Sequence, residues 1–543
     1  MKYQLYSLLF GSTLLFASCE NKMDEKHLNP DGFTDTKIEY LYSRGALNAL
    51  EIDYADCYNY NFRLLATYTQ VASRREGENR INTYNIQDDK ARWENYYEKR
   101  MSTLTEIDKI YATLTEKEQT EYLPYFETNK ILKAFNTAMA TDFFGDMPYN
   151  EAFTARNAIF GEEVILKPKY DAQKEIYYAI LDDLKSAATY LKTASLDDKV
   201  DVQTAFKRQD IIYGGDLTKW YKFANSLLLR YAMRISNVDT EKTKAILNGI
   251  TLADLITNNA DNAYIKASGK DTAPDAIWRA IRESHNKNNG YYCFAPELMT
   301  NLMNAAHDPR VSVLFQPGSD DDGKVLDNTV TAIIPYPSSA DDAIQLKNNL
   351  SDDEIRAKYA IYNTATFRNN YYLPVGVGIT AAEVYFLLAE AQQRNLISLG
   401  STEVFYNNGI FASVQNYYDY YTHTTDTDNK NAAIAATDVT DATLAAWLES
   451  SSFKFDAANA LEQIATQKWI HTGILQIYET WAEYRRTDLP VLLDDKEKGA
   501  LLNKQNTPKR FLYPAKEASM NTDNYNSVSA QNYPEKNLWW DVN

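Results

Sequence analysis

One helix that is forced to stop constrains the fold of this chain more than any other feature. Its apolar residues recur with the spacing of a helical face packed against a core, and the stripe ends at Asp142: Ile131, Ala134, Phe135, Ala138 and Met139. Gly145 tolerates a left-handed backbone, and Pro148 cannot continue a helical hydrogen-bond ladder. The sequence therefore predicts a buried helix that ends in a tight turn between these two residues.

Two acidic residues, Asp142 and Asp146, flank this turn. As a carboxylate pair they could serve catalysis or bind a metal. Aspartate at such a turn more commonly accepts hydrogen bonds from backbone N–H groups that the helix leaves free. We expect the capping role for both residues.

Several segments resemble one protein family, and they follow each other in the order that the family has. They include ILKAFNTAMATDFFGDMPYNEAF, KWYKFANSLLLRYAMRIS, HDPRVSVLF, ITAAEVYFLLAEAQQRN and QKWIHTGILQIYETWAEYRRTDLP. The family is the SusD/RagB group of outer-membrane nutrient-binding lipoproteins of Bacteroidetes. The resemblance implies a mostly α-helical fold, in which tetratricopeptide-like helix pairs form a scaffold and long irregular loop segments lie over it.

The spacing of apolar residues agrees with a helical fold independently of this resemblance. Helical spacing recurs in 176–191, 220–231 and 384–391, and no run of alternating strands is present. Periodicity is lost in 317–370, where Gly, Pro, Asp and Asn accumulate. No Pro/Ser-rich spacer divides the chain, so we expect a single domain over 19–543.

The amino-terminal sequence is typical of an export signal. Lys2 precedes an apolar run over 5–16, which is shorter than the roughly 20 residues that a membrane-spanning helix needs. Residues 1–18 are therefore predicted to be a signal peptide. The small residues before Cys19 resemble a bacterial lipobox, which makes Cys19 the lipid attachment site, and the acids within 20–25 resemble a tag for export to the cell surface.

Charge and composition exclude several classes of function. The formal net charge is −18, and a nucleic-acid partner would require a basic surface. The chain has five His and no H-E-x-x-H, G-x-S-x-G or paired Cys/His motif, so we expect neither an enzyme nor a cofactor. Cys57 and Cys293 have no metal-ligand or redox spacing and are predicted to be core residues.

The acidic run at 320–323 suggests calcium. If Gly323 were the sixth residue of an EF-hand loop, Gly318 and Thr329 would hold the first and twelfth positions, and neither supplies a carboxylate. The EF-hand is therefore excluded. We expect a solvated acidic loop, with an irregular calcium site as the open alternative.

Tyrosine supplies the candidate ligand surface. The chain has 41 Tyr against 21 Phe, so much of its aromatic surface carries a hydroxyl. Tyr291 and Tyr292 follow the polar loop ESHNKNNG, and Arg74, Arg75 and Tyr84 lie in a second polar loop, SRREGENRINTY. We predict that these residues bind a sugar, because aromatic rings stack on sugar C–H faces while Arg and Tyr suit sugar hydroxyls.

Alternatives to this surface stay open. The pair Tyr291 and Tyr292 could pack against the helix PELMTNLMNAA that follows it, and the Arg cluster could be a solvated patch. The next candidate would then be a polar insertion at 416–440, whose tyrosines are Tyr417, Tyr418, Tyr420 and Tyr421.

The family resemblance also implies a function. Its members capture nutrients at the cell surface and pass them to a SusC-like TonB-dependent transporter in the outer membrane. We therefore expect an outer-membrane protein, lipid-anchored at the cell surface, that binds an oligosaccharide and needs no catalysis of its own. A peptide-binding member of the family, a surface glycoside hydrolase with two carboxylates, and a helical-repeat adaptor are the competing hypotheses.

The lipid anchor is directly testable. In Cys19→Ala the acylated residue is absent, so the protein should fold but no longer sediment with the outer membrane. Membrane fractionation measures sedimentation, and labelled palmitate measures acylation. Cys293→Ala is the matched control, which should remain labelled and sediment with the outer membrane. If Cys19→Ala still fractionates with the outer membrane, the anchor lies elsewhere.

Overall fold

Helices dominate the structure. The computed structural model describes residues 36–51, 54, 56–73, 90–266, 279–280, 294–320, 323–327, 330–338, 340–367, 370–424, 439–493 and 508–542. The α-helices of six residues or more are α1 (Ile38–Leu50), α2 (Met101–Thr113), α3 (Glu116–Phe144), α4 (Gln173–Leu191), α5 (Asp201–Gln209), α6 (Leu217–Ile235), α7 (Thr240–Leu247), α8 (Glu297–Ala305), α9 (Ala340–Asn349), α10 (Asp352–Lys358), α11 (Ala381–Gln393), α12 (Thr402–Thr422), α13 (Asp441–Ser450), α14 (Ala460–Thr472), α15 (Ile477–Thr487), α16 (Ala515–Met520) and α17 (Thr522–Val528). The strands are β1 (Tyr264–Ile265), β2 (Phe315–Gln316), β3 (Ile361–Tyr362) and β4 (Gly376–Val377).

The helices pack as pairs. α11 packs along α12, α3 along α4, and α4 along α6. Gly409 of α12 faces Phe386 of α11, and a Cβ at Gly409 would lie only 2.5 Å from the Phe386 ring, so glycine permits this close approach. The predicted mostly α fold with tetratricopeptide-like helix pairs is confirmed.

The sheets are small. β1 pairs with β4 and β2 pairs with β3, both antiparallel and two residues long. Single bridges join Glu51 to Gly376 of β4, and Phe294 to Ile361 of β3. These short ladders fasten the irregular segments to the helices.

The helix that opened the sequence analysis ends as predicted. α3 begins with a capping box between Thr115 and Glu118, which satisfies free N–H groups of its first turn. It ends at Phe144, and Gly145 follows with φ of +75°, donating its N–H to the carbonyl of Thr141 at 2.7 Å. A residue with a Cβ would be strained at this position.

The two acids near this turn have different roles. Asp146 accepts a hydrogen bond at 2.8 Å from the backbone N–H of Gln173, the first residue of α4, so it caps the start of α4 and not its own turn as predicted. Asp142 is buried and accepts from the Tyr177 hydroxyl at 2.5 Å and from Trp540 Nε1 at 2.8 Å. The capping prediction is therefore wrong for Asp142, which is a core acid.

A network of buried charges joins the helices. Arg234 of α6 lies 3.4 Å from Asp142 of α3, and 2.6 and 2.9 Å from Glu479 and Glu483 of α15. Arg234 itself is fully buried. Burial raises the pKa of Asp142, and the nearby Arg234 opposes that shift by favouring the carboxylate. The ion pairs compensate charges that would otherwise be very costly to bury.

The network continues into two further helices. Glu483 also lies 2.7 Å from Lys468 of α14 and 2.6 Å from Arg486. Arg486 in turn pairs with Glu390 of α11 at 2.5 Å. Five helices, α3, α6, α11, α14 and α15, are thus connected by one set of buried charges.

Removing Arg234 should destabilise the fold strongly. Arg234→Met leaves three buried carboxylates without a shared cation, and losing one partner of a buried ion pair costs about 3–5 kcal/mol. Lys207→Met is the control, because Lys207 and its partner Asp198 are exposed (40% and 77%), and such a pair contributes under about 1 kcal/mol. Urea unfolding measures both, and equal losses of stability would contradict this account.

Candidate functional site

A backbone bridge joins the two predicted ligand loops at their borders. Ser73 and Phe294 form an antiparallel bridge, in which each backbone N–H donates to the other residue's carbonyl at 3.1 Å. Ser73 is the first residue of the predicted loop SRREGENRINTY, and Phe294 follows the second loop. The predicted site residues lie outside the described residues: Arg74, Arg75, Tyr84, Tyr291 and Tyr292, together with the lipid-attachment residue Cys19.

This bridge is held by an aromatic core. The Phe294 ring stacks on Tyr336 with 4.5 Å between centroids, and Tyr336 packs edge-on against Tyr359 at 5.2 Å. Phe294, Tyr336 and Tyr359 are buried in a small cluster separate from the main core. The borders of both loops therefore have one fixed position.

A stacked tyrosine pair lies at the edge of the described structure. The rings of Tyr54 and Tyr58 are nearly parallel, with 5.6 Å between centroids, and the Arg279 guanidinium lies 4.7 Å from the Tyr54 centroid. All three side chains are partly exposed. This pair was not predicted from the sequence, although the i, i+4 spacing of Tyr54 and Tyr58 was a signal for it.

A groove of about 610 Å³ is the second candidate site. Its walls come from α12, from β1 and from segments around 211–213 and 372–374. Its volume lies within the range of about 300–1,000 Å³ that is typical of small-molecule sites. The residues that line it include Tyr213, Lys219, Asn262, Tyr264, Lys266, Tyr372, Asn416, Asp419 and Tyr420.

Hydrogen bonds order one wall of this groove. Tyr420 donates its hydroxyl to the Tyr264 oxygen at 2.6 Å, and Tyr264 donates in turn to Asn416 Oδ1 at 3.1 Å. Asn262 Nδ2 donates to the Tyr264 oxygen at 3.0 Å. Burial raises the pKa of Tyr264 to about 12, so this phenol is neutral at physiological pH.

Tyr372 lies elsewhere in the groove lining. Its hydroxyl donates to Asp419 Oδ2 at 2.9 Å, and its ring stacks on the His423 imidazole with 4.6 Å between centroids. Burial, followed by the hydrogen bond to Asp419 and then its negative charge, raises the pKa of Tyr372 to about 12. Its ring is therefore held in place while its side chain remains partly exposed.

The prediction that the tyrosines of the polar insertion at 416–440 form an alternative ligand surface on a loop is wrong. α12 extends to Thr422, so all four of its tyrosines are helical and buried: Tyr417, Tyr418, Tyr420 and Tyr421. Tyr417 donates its hydroxyl to the carbonyl of His471 at 2.6 Å, and Tyr418 donates to that of Pro309 at 3.0 Å. Of the four, Tyr420 reaches the groove.

A smaller cavity of about 200 Å³ lies over the buried charge network. Its lining includes Glu390, Lys468, Glu483 and Arg486, which form ion pairs with each other at 2.5–2.7 Å. These charges are already neutralised within the protein. They stabilise helix packing, and because they are paired with each other they are not available to bind a ligand in this cavity.

The described residues contain neither a metal-binding cluster nor a helix that could span a membrane. Among these residues, no cluster of three or more His, Cys, Asp or Glu side chains has the arrangement of a metal site. Asp321 and Asp322 of the acidic run, and Cys293, lie outside the described residues, whereas Cys57 is buried as predicted. None of the described helices combines the length and apolarity that crossing a bilayer requires.

Comparison with known families identifies the class of this protein. The profile of the SusD-like_2 family, described as "Starch-binding associating with outer membrane", matches residues 39–514. This match indicates a nutrient-binding protein associated with the outer membrane. The chain belongs to the SusD-like family, as the quoted segments predicted.

Solved structures with the same fold are known. A SusD homolog from Bacteroides fragilis has a TM-score of 0.70 at 21% identity and covers 93% of this chain and 100% of its own. A SusD homolog from Parabacteroides distasonis has a TM-score of 0.67 at 23% identity, with 94% and 98% covered. A chitin-binding SusD homolog from Flavobacterium johnsoniae has a TM-score of 0.67 at 20% identity, with 93% and 99% covered. No curated protein sequence matches the chain.

Alkaline pH should lower the stability of the fold through the buried Tyr264 hydroxyl. The pKa of Tyr264 is raised from about 10 to about 12, so the unfolded chain ionises first and stability falls between pH 10 and 12. Tyr264→Phe lacks this ionisation, and its stability should fall less steeply, by up to about 1.4 kcal/mol per pH unit.

Urea unfolding at several pH values measures this slope. Tyr40→Phe is the control, because Tyr40 is 69% exposed, and it should leave the slope of the wild type unchanged. The account is contradicted if Tyr264→Phe and the wild type lose stability in parallel above pH 10.

Proposed function

We propose that this protein captures oligosaccharides at the cell surface and delivers them to a SusC-like TonB-dependent transporter. The observation that carries the proposal is the bridge between Ser73 and Phe294. Arg74 directly follows Ser73, and Tyr292 stands two residues before Phe294, so the covalent chain ties both predicted loops to one anchored position. The proposal is that one ligand contacts both loops.

The comparisons support a glycan as that ligand. The family description names starch, and the Flavobacterium johnsoniae homolog is named as chitin-binding. The described edge of the protein offers matching chemistry, because the Tyr54 and Tyr58 rings stack beside the Arg279 guanidinium. Aromatic rings suit the C–H faces of sugars, and partly exposed tyrosine also offers a hydroxyl.

The proposed lipid anchor on Cys19 suggests how the nutrient is delivered. A helical body anchored through lipid on Cys19 can move relative to a barrel beneath it, so it can act as a lid that opens for a nutrient and closes over it. The transporter then supplies the energy. The lid contributes binding and enclosure, and its own chain needs no membrane-spanning segment.

The proposed role is binding without turnover. A glycoside hydrolase requires two carboxyl groups that flank the scissile bond. Among the described residues that line the groove, Asp419 is the carboxylate, and its Oδ2 already accepts a hydrogen bond from Tyr372. The core acids Glu383 and Glu479 are buried and paired with Arg230 and Arg234. This arrangement favours a binding protein over a surface hydrolase.

The loop site is tested by removing its aromatic pair. The double variant Tyr291→Ala, Tyr292→Ala should weaken binding of a glycan selected from a screen by about 2 kcal/mol or more, or roughly 30-fold, because a central aromatic anchor is lost. Isothermal titration calorimetry measures the affinity. Tyr533→Ala is the matched control, since Tyr533 is 61% exposed and lies outside the predicted loops, and it should bind as the wild type does.

Three outcomes would contradict parts of this proposal. Unchanged affinity in the folded double variant would move the ligand site away from these loops. Release of shorter sugars during incubation would identify a hydrolase. Binding of peptides in a parallel screen, with no glycan bound, would replace the oligosaccharide by a peptide.

A further inference from the structure

The groove between β1 and α12 has a chemistry of its own. Its aromatic component is fixed, because Tyr372 is stacked on His423 at 4.6 Å and Tyr264 is hydrogen-bonded to Asn262, Asn416 and Tyr420. Tyrosine and asparagine side chains that are already ordered lose little conformational entropy when a ligand binds. Rigid rings with polar neighbours are suited to a sugar, which has apolar C–H faces and hydroxyl edges.

The charges around this groove are unevenly compensated. Asp261 forms ion pairs with both Lys219, at 3.5 Å, and Lys222, at 2.7 Å. Asp419 lies 3.0 Å from His423 Nδ1 and also accepts the hydrogen bond from Tyr372. These groups therefore already interact with one another within the protein.

Lys266 differs from the other lysine of the groove lining. It is exposed, and in the part of the chain that the structure describes no carboxylate lies within the 4.0 Å ion-pair distance of its Nζ. Its Nζ lies 5.8 Å from the centroid of the Tyr372 ring. In a protein with a formal net charge of −18, this groove thus presents an ammonium group beside a fixed aromatic ring.

The position of Tyr372 separates two kinds of contact. Its hydroxyl end meets Asp419, which accepts hydrogen bonds, whereas its ring lies near the Lys266 ammonium. A sugar on this ring could direct hydroxyls towards Asp419 and an anionic substituent towards Lys266. A lysine and a carboxylate form a charge-assisted hydrogen bond, which is stronger than a neutral one.

We propose that this groove is a second saccharide site, separate from the predicted loops, and that it takes an oligosaccharide carrying a carboxylate, such as a uronic acid. The inference rests on the proposed function, because it assumes that the nutrient is a glycan. The Tyr264 and Tyr372 rings supply the stacking surface, and the Tyr372 oxygen, which donates its hydrogen to Asp419, can accept a hydrogen bond from the sugar. Lys266 selects the carboxylated sugar over its neutral counterpart.

The test uses pairs of ligands that differ only in the carboxylate. An array of uronate-containing oligosaccharides, each printed beside its carboxyl-reduced neutral form, is probed with the full mature lipoprotein in detergent. The strongest pair is then titrated by calorimetry. The wild type should bind the carboxylated member at least tenfold more tightly than the reduced member.

Variants assign this preference to the groove. Lys266→Gln should lose the tenfold preference while keeping its affinity for the reduced sugar, and Lys266→Arg should retain the preference because it keeps the charge. Lys242→Gln is the matched control, since the Lys242 ammonium also lies over a tyrosine, 4.2 Å from the Tyr178 centroid, but outside the groove. It should behave as the wild type does.

The remaining outcomes separate this inference from the proposed function. The double variant Tyr291→Ala, Tyr292→Ala should keep the preference for the carboxylated sugar. Loss of the preference in that variant, or its persistence in Lys266→Gln, would overturn the groove as its source. Binding of neutral glycans alone would overturn this inference and leave the proposed function standing, whereas binding of no glycan at all would overturn both.

Discussion

The guanidinium of Arg234 connects three helices of the core, α3, α6 and α15. It is fully buried and is shared by Asp142 of α3 and by Glu479 and Glu483 of α15. Glu483 also forms an ion pair with Arg486, and Arg486 in turn pairs with Glu390 of α11. Buried ions are tolerated only when each has a close partner of opposite charge, so these helices have little freedom to shift independently.

The same network also positions the groove. Arg230, one turn before Arg234, pairs with Glu383 at 2.6 Å and donates to the carbonyl of Gly378 at 2.8 Å. Gly378 in turn donates its N–H to the carbonyl of Ala263, the residue before Tyr264. A buried cation therefore fixes the backbone on which a groove tyrosine stands. The position of Tyr264 in the groove thus depends on buried charges that lie outside the groove lining.

Local signals in the sequence were sufficient for the helical content and for the end of α3, whereas the tetratricopeptide-like pairing of helices was predicted from the family resemblance. The helical spacing and Gly145 act within a few residues, and the structure confirms both. The role of Asp142 could not be predicted in this way, because its partners Tyr177 and Trp540 are 35 and 398 residues away. The groove was missed for the same reason, since Tyr264 and Tyr372 come together through the pairing of β1 with β4.

We propose that this helical protein binds a nutrient and passes it to a TonB-dependent transporter. Affinity purification of the lipoprotein from outer membranes solubilised in a mild detergent tests this proposal. The account predicts that a large TonB-dependent transporter is recovered with it in near-stoichiometric amount. Recovery of the lipoprotein alone under the same gentle conditions would contradict the account.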